Sequence, residues 1–184
     1  MFSKEFYISV TRGLNEEFIR ENKDKVDWAA ISFAQELSEN FIREFQDKVN
    51  WKLISQFQKL SENFIREFQD NIDWKFISFH MELSENFIRE FKDKVDWNHI
   101  SWSQKLSESF IREFQDKVNW NAISNTQKLS VEFLKEFKDK IDWISLIRRF
   151  DLDICIDRSK LLSINSINEF IDLTLRLFLL KAFK

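Results

Sequence analysis

Tryptophan recurs at Trp28, Trp51, Trp74, Trp97, Trp120 and Trp143, each 23 residues after the last. Leucine keeps the same interval at Leu14, Leu37, Leu60, Leu83, Leu106 and Leu129. The set Phe41, Ile42, Phe45 and Val49 returns as Phe64, Ile65, Phe68 and Ile72, as Phe87, Ile88, Phe91 and Val95, and as Phe110, Ile111, Phe114 and Val118. So regular a period marks a stack in which each unit buries its apolar face only against its neighbours. The 184 residues include one glycine and no proline. Connections therefore lack the residues that usually supply unusual backbone shapes, and the turns must be short and helix-compatible.

Each unit carries two helix-start signals. In Leu37-Ser38-Glu39-Asn40-Phe41-Ile42, Ser38 is placed to cap a helix, Leu37 and Ile42 to form a hydrophobic staple, and Glu39 to face the positive helix end. In Val49-Asn50-Trp51-Lys52-Leu53-Ile54, Asn50 takes the capping place, which Asp27, Asp73, Asp96, Asn119 and Asp142 hold elsewhere. On the first helix of each pair, Phe41, Ile42, Phe45 and Val49 share one arc, the stripe of a helix packed on one side. Its charged side offers the i,i+4 pairs Glu39–Arg43, Arg43–Asp47 and Glu44–Lys48. On the second helix, Trp51, Ile54, Ser55 and Gln58 gather on an arc expected to face the interior, with Ser55 small enough for close helix approach and Gln58 able to satisfy loop backbone groups. Met81 stands in the place of Gln58 one repeat on, so an amide is not required there.

These signals predict an all-α chain, an α-solenoid of stacked antiparallel short helix pairs on a 23-residue repeat, forming one domain over 1–184. Residues 1–26 read as an N-terminal capping repeat, in which Glu5 replaces Trp and Asn22 replaces Phe; 27–142 are the regular repeats. Residues 143–184 read as a C-terminal cap, with an irregular connector from Asp151 to Lys160 and a final helix from about Ser166 to Phe183.

A net charge of -3, with 28 basic and 31 acidic residues interspersed, supplies no basic field for nucleic acid. Arg148, Arg149, Arg158, Lys160, Arg176 and Lys181 are the one loose basic grouping. Cys155 is the single cysteine and reads as a buried thiol in a reducing compartment. The first twelve residues lack the features of a secretion signal. Leu173–Phe183 is the most apolar stretch, interrupted by Arg176 and Lys181 and shorter than the roughly 20 residues of a membrane span. A soluble, cytoplasmic protein without membrane contact is expected.

Catalytic constellations are not evident. The chain has no Gly-rich phosphate loop, nucleophile elbow, HExxH or paired CxxC, and only His80 and His99 offer imidazole. Neither histidine has obvious carboxylates to complete a metal site, and Asp151, Asp153 and Asp157 lack the turn glycine and closing Glu of a calcium loop. No enzyme activity, cofactor or metal is expected.

Differences between units concentrate on the second helices. Ala29, Ala30, Phe33 and Ala34 give way to Lys52, Leu53, Gln56 and Phe57, then to Lys75, Phe76, Phe79 and His80, then to Asn98, His99, Trp102 and Ser103, and finally to Asn121, Ala122, Asn125 and Thr126. On a helical wheel these places lie opposite the Trp/Ile/Ser/Gln arc and predict a stripe of unlike side chains. Phe33, Phe57, Phe76, Phe79, His80, His99 and Trp102 are the candidate partner-binding residues, because aromatic side chains make good interface anchors. The same aromatics are also suited to filling unequal gaps between neighbouring helices.

The unit Leu60-Ser61-Glu62-Asn63-Phe64-Ile65-Arg66-Glu67-Phe68-Gln69-Asp70, followed by Trp74 and Ile77-Ser78, resembles uncharacterised short helical repeats of giant-virus and viral-metagenome proteins, over residues 14–143. The resemblance implies a virus-encoded protein at work in the cytoplasm of an infected cell, and carries no binding site with it. The expectation is a non-catalytic protein–protein interaction module, a binder or antagonist of a host or defence protein. A structural role is the alternative, with self-assembly into dimers or arrays through the C-terminal helix. Weak nucleic-acid binding comes third.

Overall fold

The computed structural model describes residues 9–149, Arg12 excepted. The connector, Cys155 and the final helix expected from the sequence lie outside the described residues, as do residues 1–8 and Arg12 of the expected N-terminal cap. Among the described residues there are twelve helices and no strand. The first helices of successive repeats are α1 (Glu16–Glu21), α3 (Glu39–Glu44), α5 (Glu62–Glu67), α7 (Glu85–Glu90), α9 (Glu108–Glu113) and α11 (Val131–Glu136). The second helices are α2 (Trp28–Ala34), α4 (Trp51–Phe57), α6 (Trp74–His80), α8 (Trp97–Ser103), α10 (Trp120–Thr126) and α12 (Trp143–Arg149). The chain is thus an all-α repeat protein of the solenoid class. It divides into two units, residues 1–96 and 97–184, with the division inside a repeat between Asp96 and Trp97.

Caps set where each helix begins. The Ser38 hydroxyl accepts the Phe41 N–H at 3.1 Å, and the Asn50 side chain accepts the Leu53 N–H at 3.2 Å. Equivalent bonds start α5, α7, α9 and α11 from Ser61, Ser84, Ser107 and Ser130, while Asn15 serves α1. The first helices end sooner than the apolar arc alone predicts. Phe45 leaves helical geometry at φ -115°, and its carbonyl then accepts both Lys48 N–H at 2.9 Å and Val49 N–H at 3.0 Å. That turn, made without glycine or proline, still delivers Val49 to the interior.

In the first unit, α2 packs on α4 and α4 on α6; in the second, α8 packs on α10 and α10 on α12. The core beneath is made of Phe41, Ile42 and Ile54, all without solvent exposure, and their buried equivalents in later repeats; in the first repeat Phe18, at the place of Phe41, is exposed instead. Each buried side chain contributes about 1.5–3 kcal/mol by leaving water. Helices of six or seven residues are too short to persist alone, so this stacking is what makes them helices.

Tryptophan links one repeat to the next, which explains why it keeps the period. The half-buried Trp51 ring lies 4.8 Å from Phe68 and 6.3 Å from Phe64, both of the following repeat, while its indole N–H donates to the Gln46 carbonyl at 3.0 Å. Trp28, Trp74 and Trp120 repeat the arrangement.

The charged face is also built between repeats. Arg43 Nε donates to Glu67 at 2.8 Å, and its guanidinium lies 5.0 Å from the centre of the Phe64 ring. Glu44 receives Arg20, and Lys48 reaches Asp24. The expected intrahelical partners Glu44 and Lys48 therefore point to the preceding repeat instead, because the helix ends at Glu44 before the next turn can align them. Glu39 does pair with Arg43, at 3.7 Å, and also accepts the Ser61 N–H at 2.6 Å, tying its helix to the next cap.

Candidate functional site: an exposed aromatic face on the second helices

The inward arc of the second helix is a hydrogen-bonded seam. Ser32, Ser55, Ser78, Ser101 and Ser124 each donate to the tryptophan carbonyl one turn earlier, at 2.6–2.7 Å. Each hydroxyl also accepts the backbone N–H of the next repeat's capping residue: Asn50, Asp73, Asp96, Asn119 and Asp142 respectively, at 2.9–3.0 Å. Gln58 reaches the other way. Its amide donates to Ser32 O at 3.1 Å and Gln35 O at 2.8 Å and accepts Leu37 N–H at 3.0 Å. Gln127 does the same for Ser101, Gln104 and Leu106. The amide role is legible in the sequence, whereas the serine's double role is not: spacing alone shows only that the side chain is small.

With the inner arc so occupied, the outer arc is left to solvent, although not uniformly. The position held by Ala30, Leu53, Phe76, His99 and Ala122 lies closest in, with both alanines buried and Leu53, Phe76 and His99 half-buried. Phe76 and His99 therefore match the gap-filling expectation better than that of free anchors. The next turn is open.

In the first unit Phe33 is 52% exposed, Phe57 45% and Phe79 42%, with His80 exposed beside them. Phe33 and Phe57, from neighbouring repeats, meet edge to face at 4.7 Å. Phe79 meets the His80 ring at 4.7 Å in the same manner, and Phe76 stacks on His80 at 6.2 Å. Beside the Phe33–Phe57 pair runs an open groove of about 690 Å³, bordered by Val10, Leu14, Phe33, Ala34, Phe57 and the Glu36 side. Nothing in the residue spacing points to this groove. Gly13 on its rim takes a left-handed φ of 83°, where the later repeats carry Glu or Lys.

In the second unit Trp102 is 52% exposed, and around it the outer arc is polar. Asn119 donates its amide to Asn98 at 2.8 Å, Asn121 bonds Asp142, and Asn125 and Thr126 are half-buried. Among the described residues no group of three or more His, Cys, Asp or Glu is placed to hold a metal ion, and no helix is long and apolar enough to cross a membrane.

No protein-family model, curated protein or solved structure matches the chain.

Proposed function

We propose that this chain is a non-catalytic protein-interaction module that docks a partner protein on the outer face of its second helices. The observation that carries this reading is the first unit's row of large aromatic side chains, Phe33, Phe57 and Phe79, left substantially in water. Exposed apolar surface of this kind marks docking sites, and aromatic residues supply most of the energy in interfaces. The frame serves the face: the repeat fixes the backbone through buried Phe, Ile, Ser and Gln, leaving the outer positions free to differ. The resemblance to viral repeats makes a host or defence protein in an infected cell the proposed partner.

The test is affinity capture from host-cell extract with the full chain and with the Phe57→Ala/Phe79→Ala/Trp102→Ala variant. Loss of a captured protein, with a cooperative helical melt retained, supports the reading. Undiminished capture by the variant refutes it, as does unfolding of the variant, which would make the aromatics structural.

A further inference from the structure

Glutamine follows the second helices α2, α4, α8 and α10, as Gln35, Gln58, Gln104 and Gln127, but after α6 the place is held by Met81. The backbone does not register the exchange. Met81 has φ -93° and ψ 141° against -95° and 148° at Gln58, and its N–H donates to the Ile77 carbonyl as that of Gln58 donates to Ile54. The two side chains therefore set out from equivalent points. In the glutamine repeats Oε1 accepts a leucine N–H just before a helix cap: Leu14 donates to Gln35 at 3.1 Å, Leu37 to Gln58 at 3.0 Å and Leu106 to Gln127 at 3.0 Å. Leu60 is the counterpart for Met81. It is buried, and its N–H has no hydrogen-bond acceptor among the described residues. A buried amide left without an acceptor is costly. Met81 is half-buried where Gln58 and Gln127 are buried, so this place is the more open to small solutes.

We propose that Met81 is a site of reversible oxidation whose sulfoxide tightens the fold. Hydrogen peroxide is the oxidant: the sulfur lone pair attacks one peroxide oxygen, the S–O bond forms as the O–O bond breaks, and the transferred oxygen gives its proton to the departing hydroxide to make water. Sulfur loses two electrons and peroxide gains them. The new oxygen is carried on the δ atom of the side chain, as Oε1 is in glutamine, and accepts the Leu60 N–H. Oxidising a core methionine ordinarily disrupts packing, because it places a polar group among apolar ones. Here that group meets a buried donor. A sulfoxide has no proton to give, so the bonds that Gln58 donates to Ser32 O and Gln35 O are not reproduced, and Met81→Gln should stabilise more than oxidation does. The modification thus acts as a redox-sensitive clasp between the end of α6 and the entry to α5, and it needs no docked partner.

Treatment of the full chain with dilute hydrogen peroxide tests this, with peptide mass spectrometry to locate the added oxygen and NMR hydrogen exchange to follow single amides. Oxidation at Met81 is expected to slow exchange of the Leu60 amide about fivefold relative to Leu37 and Leu106, and to raise the thermal midpoint by about 2–4 °C. Methionine sulfoxide reductases, one for each epimer, should return both readings to their starting values. Met81→Leu retains Met1 and Cys155 but no thioether at this place, so peroxide should leave its midpoint without the gain. A fall in midpoint on oxidation of Met81, unchanged exchange at Leu60, an equal gain in Met81→Leu, or a Met81 that resists peroxide in the folded chain would each overturn the proposal.

Discussion

The Ser55 hydroxyl accepts the backbone N–H of Asp73 at 3.0 Å while donating its own proton to the Trp51 carbonyl at 2.7 Å. One buried oxygen thereby joins a helix to the cap of the next repeat's helix. The carboxylate of Asp73 then starts that helix by accepting the Phe76 N–H. The seam explains why serine keeps this place in α2, α4, α6, α8 and α10: alanine is as small but offers no acceptor.

Ser55→Ala is expected to cost about 1–2 kcal/mol, since it leaves the Asp73 N–H without its acceptor in a partly buried place. Urea unfolding followed by circular dichroism measures the loss, with Lys52→Ala as a surface control that should stay within about 0.5 kcal/mol. Equal midpoints for the two variants would show that the seam contributes nothing.

Met81 marks a gap in the amide series. Gln58 serves Ser32, Gln35 and Leu37, but a thioether has no proton to donate to Ser55 O and Gln58 O. Met81→Gln should therefore raise stability by about 1 kcal/mol, and Gln58→Met should lower it by about 1–3 kcal/mol. Opposite shifts in thermal midpoint are the expected result.

The frame and the outer face should respond unequally to truncation. Ile54→Ala removes a side chain with no exposure and should cost about 2–5 kcal/mol. Phe57→Ala removes a half-exposed ring whose main loss is its edge contact with Phe33, about 1 kcal/mol. Chemical denaturation of both variants checks the ratio. A cost for Phe57 equal to that for Ile54 would assign the ring to the core.

Asp142 couples the second unit to pH. Hydrogen bonds from the Ser145 hydroxyl at 2.6 Å and from the Ser145 backbone, helped by Asn121, hold its carboxyl below the ordinary value, outweighing partial desolvation. Because the folded state prefers the ionised form, this stabilisation is fully present above about pH 4 and is lost as pH falls through the lowered value. Asp142→Asn keeps a capping oxygen but no charge. Its stability deficit relative to the parent should be largest near neutrality and close on acidification below about pH 4. A deficit that stays constant between pH 7 and pH 3 would remove the carboxylate from the account.

Much of this architecture was legible from residue spacing. Ser38 and Asn50 start helices as their chemistry demands, because capping is a local interaction decided within three residues. Phe41, Ile42 and Ile54 are buried as their spacing requires. Gln58 was identifiable as a backbone partner, since a recurrent amide on an apolar arc must be satisfied. The candidate face was less legible. Spacing placed Phe33, Phe57, Phe76, Phe79, His80, His99 and Trp102 on one arc, but could not tell that Phe76 and His99 occupy its inner edge while Phe33, Phe79 and Trp102 project further. A helical wheel assigns directions; exposure depends on how closely the adjoining helix approaches.

By itself, then, the sequence determined the helix pairs, their caps, the period and the division into constant and variable positions, all consequences of interactions a few residues long. Tertiary structure decided the partners. Arg43 reaches Glu67, Trp51 lies on Phe68 and Ser55 holds Asp73, each across a repeat boundary, because helices this short find their strongest contacts in the neighbouring repeat. Gly13 and the groove beside Phe33 likewise acquire meaning only once the chain is stacked, since a cleft is a property of two packed surfaces and of neither helix alone.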